Sequence, residues 1–168
     1  MLTYEKFESK HIPIYYKWRN DESVAVYDQS EFLRPRGFDE IAEWAERLVG
    51  GYTYLVFADE TPIGTIALMN VDMRNRHAEL AIVIGEKDYW SKGYGSQMMD
   101  KLLEMGFEGL NLERLYLHVF GFNERAINLY KKFNFKHEGT LRNMLYRHGQ
   151  YHDVLAFGLM KSEWKKGS

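Results

Sequence analysis

Cysteine is absent from the 168 residues, which excludes disulfides, cysteine metal sites and any covalent acyl-cysteine intermediate. No apolar run approaches the roughly 20 residues that span a bilayer, and residues 1–10 carry no apolar signal core. The expectation is a cytoplasmic protein with no membrane partner. A net charge of −2 and a pI near 6.3 give no excess of positive charge for nucleic acid, so none is expected as a partner. The six histidines are scattered, with no spacing of the H-E-x-x-H kind, and no metal is expected. With three prolines and no Pro/Ser-rich linker, residues 1–168 are expected to form one domain; 45% hydrophobic content supplies its core.

The most informative stretch is Tyr89-Trp90-Ser91-Lys92-Gly93-Tyr94-Gly95-Ser96. Before it, residues 78–84 are apolar and β-branched, which predicts a buried strand; after it, residues 97–108 have helical spacing. Gly93 and Gly95 have no Cβ, so a loop here can turn tightly and bring backbone N–H groups to a ligand, beside the unpaired N–H groups of the helix's first turn. That chemistry favours an anion such as phosphate, while two glycines in a strand-to-helix turn also make an ordinary connection. A Walker A loop is ruled out because the lysine precedes its glycine, and the dinucleotide fingerprint because Met98 stands at its third glycine.

In chain order, residues 2–7 read as a strand, and residues 11–20 as a helix with Ile14, Tyr15 and Trp18 at helical spacing. Residues 21–27 continue it, and residues 28–37, with Pro35 and Gly37, read as a loop. Asp39 is the expected N-cap of a helix carrying Ile41, Trp44, Ala45 and Leu48 and ending at Gly50-Gly51, so two helices are expected ahead of the main sheet. Strands at 53–58 and 63–68 flank the turn residues Asp59, Glu60, Thr61 and Pro62; a polar connection at 73–76 leads into 78–84. Met99, Leu102, Leu103 and Gly106 form the packing stripe of the helix after the loop. Residues 115–119 are a further strand, parallel to 78–84, so the sheet is mixed. Asn123 caps a helix with Ala126, Ile127, Tyr130 and Phe133 at helical intervals, and two strands meet near residues 148–150.

The loop resembles motif A of the GNAT superfamily of acyl-CoA-dependent N-acyltransferases, Q/R-x-x-G-x-G/A, which holds the coenzyme A pyrophosphate. Gly93 and Gly95 match the small positions, and Trp90 replaces the Gln/Arg. Tyr-Trp-x-Lys-Gly-Tyr-Gly is similar to the branch with ribosomal-protein N-terminal and spermidine N-acetyltransferases. Residues 123–135 resemble motif B, N-x-x-A-x-x-L-Y-x-x-x-G-F, at Asn123, Ala126, Leu129, Tyr130 and Phe135, with Asn134 in place of glycine. Asparagine tolerates positive φ, so the turn can survive.

The resemblance implies an α/β class, a three-layer α-β-α GNAT fold with a mixed sheet of about seven strands and helices on both faces. It implies acetyl-CoA as co-substrate and direct attack by a primary amine in a ternary complex. Ile82, Val83 and Ile84 would meet the pantetheine arm, and Trp90, Ser91, Lys92, Gly93, Tyr94, Gly95 and Ser96 the pyrophosphate. Asn123, Ala126 and Asn128 would contact pantetheine or phosphate. Tyr130 matches the tyrosine that protonates the CoA sulfur, or else packs in the core. Glu79 is the candidate general base, or else a strand-edge carboxylate; His118 and His152 are alternatives. Trp18, Arg19, Tyr27, Asp28 and Arg34 are candidates to shape the acceptor site, against ordinary packing and solvated charge. The acceptor is a small-molecule or peptide amine: a protein N-terminus, a polyamine, or an amino sugar or aminoglycoside. A polyamine would call for carboxylates such as Asp28, Glu31, Asp39 and Glu40. The competing reading is a catalytically silent CoA-binding sensor or structural module of GNAT fold, and a homodimer is an expectation from the family.

Overall fold

The computed structural model describes residues 1–29 and 34–166. Seven strands form one mixed sheet in the order β1-β2-β3-β4-β5-β7-β6, which bears out the expected α/β class. No helix among the described residues is long and apolar enough to cross a membrane. The chain divides into two compact units, residues 1–69 with 81–98 and residues 70–80 with 99–168.

In the first unit, β1 (Leu2–Lys6) pairs antiparallel with β2 (Tyr52–Ala58), and β2 with β3 (Thr61–Asp72). The turn is shorter than expected: Asp59 at φ 55° and Glu60 make it, while Thr61 and Pro62 already pair with Ala58 and Phe57. Pro62 has no N–H for the ladder, and the register shifts between Val56 and Phe57 to absorb it. Because β1 lies in the sheet, the helices follow its first strand rather than precede it. They are α1 (Ile12–Arg19), a single turn α2 (Glu22–Ala25) and α3 (Phe38–Glu46). Gly37, not Asp39, is the N-cap of α3; Asp39 and Glu40 instead fall in the first turn, where a carboxylate complements the helix dipole. Alpha-helical structure stops at Glu46, short of Gly50. Phe7, Ile12, Tyr15, Ile41 and Ala45 form a buried cluster, with Tyr15 stacked 5.8 Å from Trp44. Burial pushes the Tyr15 phenol up to about 12.

In the second unit, β4 (His77–Ile84) pairs in parallel with β5 (Arg114–Phe120), the register covering His77–Glu79 against Arg114–Tyr116. Antiparallel ladders join β5 to β7 (Gln150–Met160) and β7 to β6 (Lys136–Arg147). His148 and Gly149 turn the hairpin with φ of 51° and 81°, the paired left-handed residues that a two-residue turn demands. The helix after the glycine loop, α4 (Tyr94–Leu103), runs on into a π-helical turn over Glu104–Gly109. The expected stripe is buried: Met99, Leu102 and Leu103 are fully enclosed, and a Cβ on Gly106 would meet a Leu115 methyl at 2.8 Å. The last helix, α5, spans Glu124–Lys132.

Candidate functional site

In the first unit, the end of β4 is fastened from two sides. A Cβ on Gly85 would sit 2.2–2.5 Å from three ring atoms of Trp18, so the indole lies directly on the backbone. Trp18 Nε1 donates to Glu86 Oε1 at 2.9 Å and Lys17 Nζ to the same oxygen at 2.8 Å. The Lys17 hydrogen bond, followed by that of Trp18, holds the Glu86 carboxyl below the usual range. Past the turn Lys87–Tyr89, the indole of Trp90 donates to the Ile84 carbonyl at 2.8 Å and its ring meets Tyr27 edge-on at 5.8 Å. The residue that departs from the motif thus pins the loop to the strand.

Ser91 at φ 58° and Gly93 at φ 84° turn the chain. A Cβ on Gly93 would meet nothing within 4 Å, so glycine is needed there for its dihedral and not for room. The helix then begins at Tyr94, three residues earlier than expected. Tyr94, Gly95 and Ser96 therefore form the helix's first turn rather than loop, and Gly95 is not at positive φ. Gly93 at the turn brings this start forward, its carbonyl accepting from Gln97 N at 3.4 Å. N–H groups of a first turn have no acceptor within their helix and carry the positive end of its dipole. The first-turn amides are those of 94–96, with the loop reduced to residues 90–93. Lys92 Nζ lies 5.6 Å from the Tyr89 ring.

In the second unit, Asn123 Oδ1 accepts from the Ala126 N–H at 3.3 Å, so this side-chain oxygen is the helix cap. Asn128 is exposed and Ala126 half-buried. Tyr130 is 8% exposed, its ring 6.0 Å from Phe135 and 6.2 Å from Phe157. Asn134, in the glycine position of the motif, adopts φ 67°.

Glu79 is held by two partners that sequence reasoning did not assign to it. Asn70 Nδ2 donates to Glu79 Oε2 at 3.1 Å, and His118 Nδ1 lies 3.4 Å from Glu79 Oε1. Asn70 stands at φ 50° within β3. A lone asparagine in an apolar strand was the available signal, but its partner depends on the register of the following hairpin. Burial, and after it the Glu79 charge, raises the Tyr116 hydroxyl above its ordinary value. His152 packs on Phe122 at 4.9 Å.

Of the residues expected to shape the acceptor site, Trp18 is a core residue at 1% exposure. Arg19 Nη1 pairs with Asp28 Oδ2 at 3.0 Å. Burial raises the Asp28 carboxyl, the Arg19 charge opposing it. Arg34 holds Glu40 through two hydrogen bonds of 3.0 and 2.7 Å. The expected cluster of free carboxylates is thus partly neutralised: Asp28 and Glu40 each have an arginine, and Glu31 lies outside the described residues.

The profile of the acetyltransferase (GNAT) domain family matches residues 1–136, and the chain belongs to that family. It is an N-acetyltransferase of a class that draws acetyl from acetyl-CoA. Among its relatives, the spermidine N(1)-acetyltransferase of Vibrio cholerae is 27% identical over 168 residues, 97% of this chain and 95% of that protein. An uncharacterised N-acetyltransferase, p20, of Bacillus licheniformis is 33% identical over 113 residues, 67% of this chain and 63% of that protein. The crystal structure of the Vibrio cholerae spermidine N-acetyltransferase in complex with CoA and spermine superimposes with a TM-score of 0.85 at 26% identity, covering 96% of each chain.

Proposed function

We propose that the chain, as one GNAT domain over residues 1–168, transfers acetyl from acetyl-CoA to a primary amine of a polyamine by direct attack. The observation that carries this reading is the likeness to the Vibrio cholerae spermidine enzyme, which runs through nearly the whole of both chains in sequence and in fold. The site chemistry supports the donor. Gly93 turns the chain into the first turn of α4, where the amides of Tyr94, Gly95 and Ser96 suit the pyrophosphate. Ile82, Val83 and Ile84 take the pantetheine arm in this reading, Asn128 contacts it, and Tyr130 protonates the departing thiolate. Direct transfer needs no enzyme nucleophile, consistent with a chain that has no cysteine. Exposed Leu141, Met144, Tyr146 and Tyr151 on the β6–β7 hairpin support a homodimer.

Thiol release from acetyl-CoA, followed with spermidine, spermine, an aminoglycoside, a nucleotide amino sugar and a short peptide, tests the proposal. The expected result is a kcat/KM for the polyamines at least roughly tenfold above the others, a gap of about 1.4 kcal/mol. Faster turnover of another amine reassigns the acceptor. Binding of acetyl-CoA without thiol release from any amine would mark a silent sensor and overturn the activity.

A further inference from the structure

Three side chains of the second unit meet in a row across β3, β4 and β5: Asn70, Glu79 and His118. Their geometry fixes a proton. A carboxylate only accepts hydrogen bonds, and Glu79 is engaged at both oxygens, by the Asn70 amide at 3.1 Å and by His118 Nδ1 at 3.4 Å. With Nδ1 facing Oε1, the neutral imidazole carries its hydrogen on Nδ1 and leaves the Nε2 lone pair bare. Asn70 donates to the other oxygen, which keeps the carboxylate from rotating away from the ring.

The surroundings suit a group that must exchange protons with water. The His118 side chain is 47% exposed and that of Glu79 23%. On the same face, Tyr116 stands 6.3 Å from the His118 ring and His77 stands 5.9 Å from Tyr116. Asp72 lies 3.9 Å from His77, and Arg114 is paired with Glu138 beyond Tyr116. The β7 residues opposite His118 and Tyr116 are Ala156 and Gly158, which bring no charge. Glu79 is therefore the carboxylate in direct contact with the imidazole.

We propose that His118 is the general base of the acetyl transfer and Glu79 its positioning residue, a reversal of the role the motif resemblance suggests for Glu79. The proposal rests on the amine-acetylating function above. His118 Nε2 takes one proton from the acceptor ammonium, giving imidazolium and a neutral amine. The amine nitrogen then forms its bond to the thioester carbonyl carbon, the carbon–sulfur bond breaks, and the nitrogen's surplus proton balances the thiolate to give thiol. Imidazolium returns its proton to solvent. An imidazole with an ordinary pKa of about 6.5 is better matched to this work near neutrality than a carboxylate at about 4.3.

The test is the pH dependence of kcat/KM with spermidine for the wild type, His118→Gln and Glu79→Gln, together with nitrogen-15 NMR of the neutral His118 tautomer in the wild type and Glu79→Gln. The wild type is expected to lose rate as pH falls through the imidazole range. His118→Gln is expected to drop by roughly 100-fold at pH 7 and to lose that limb. Glu79→Gln should keep the limb, lower kcat/KM on its high-pH side, and lose the preference for the Nδ1–H tautomer, because the imidazole no longer faces a carboxylate. Retention of the limb in His118→Gln with its loss in Glu79→Gln would make Glu79 the base, and an unchanged His118 tautomer in Glu79→Gln would remove the positioning role. Either result defeats this inference while leaving the acetyltransferase reading intact. A wild type that releases no thiol with any amine defeats the function itself and this role with it.

Discussion

A phenol can matter by its ring or by its oxygen, and at Tyr130 the two are separable. The ring packs near Phe135 and Phe157 at 8% exposure, and phenylalanine supplies the same apolar surface. Tyr130→Phe should therefore leave the thermal midpoint within the equivalent of about 1 kcal/mol. If the hydroxyl delivers the proton to the thiolate, kcat in the thiol-release assay falls by roughly 100-fold, the common scale for general acid catalysis. An unchanged kcat in a folded variant would leave only the ring's packing role. Single residues differ in how far sequence exposes them. Asn134 at φ 67° was legible, because asparagine occupies the glycine position of a turn whose dihedral it can adopt. Asn70 has the same left-handed backbone, at φ 50°, yet its service to Glu79 was not legible. The contact joins residues nine apart through a hairpin, and only the register decides which side chains face each other.

Two glycines, one packed against β4 and one at the entry to α4, do different work, which makes a paired substitution informative. At Gly64, in β3, an added Cβ would sit 2.0 Å from the Val83 carbonyl oxygen, a backbone atom of β4 that has nowhere to move. At Gly93 the Cβ would find open space, and only the φ of 84° penalises it. Gly64→Ala should cost about 3 kcal/mol of stability by overpacking, and Gly93→Ala about 1 to 2 kcal/mol by left-handed strain. The functional effects should invert: Gly93→Ala disturbs the entry to α4 and raises the KM for acetyl-CoA several-fold, whereas folded Gly64→Ala changes it less. Urea midpoints and KM values check both, and equal destabilisation by the two alanines would contradict the distinction. At this scale the strands were read to within a few residues, since alternating and β-branched runs carry their own signal. The start of α4 was misplaced because Tyr94, Gly95 and Ser96 are weak helix residues whose helicity is imposed by the turn at Gly93. The N-cap of α3 was misplaced for a related reason: Gly37 caps without a side-chain hydrogen bond, while Asp39 had the side chain that sequence reasoning looks for.

Among the described residues, carboxylates favoured in their charged form outnumber those favoured neutral. Hydrogen bonds and cations hold Asp21, Glu40, Asp72, Glu86, Glu138 and Glu163 below their ordinary values, led by Ser23, Arg34, Asn75, Lys17, Arg114 and Lys136 respectively. Burial raises Asp28 and Asp100. A depressed carboxyl adds stability above its unfolded value and loses it as pH falls through its folded value; a raised carboxyl acts in the opposite sense. The first group should dominate, so stability to urea should decline as pH drops from about 5 toward 3, with Asp28 and Asp100 softening the decline. Glu86 isolates one contribution, since its ordinary value is 4.5 and its partners Lys17 and Trp18 are both in place. Glu86→Gln should lose at most about 1 kcal/mol at pH 7, because the carboxylate still reaches solvent. Between pH 5 and pH 3 its curve should be shallower than that of the wild type, and the two should converge at the acid end, where Glu86 is neutral in both folded and unfolded chains. Parallel curves across that window would mean that the Glu86 contacts bring no net stability through charge, and that the acid sensitivity belongs to the other five depressed carboxylates.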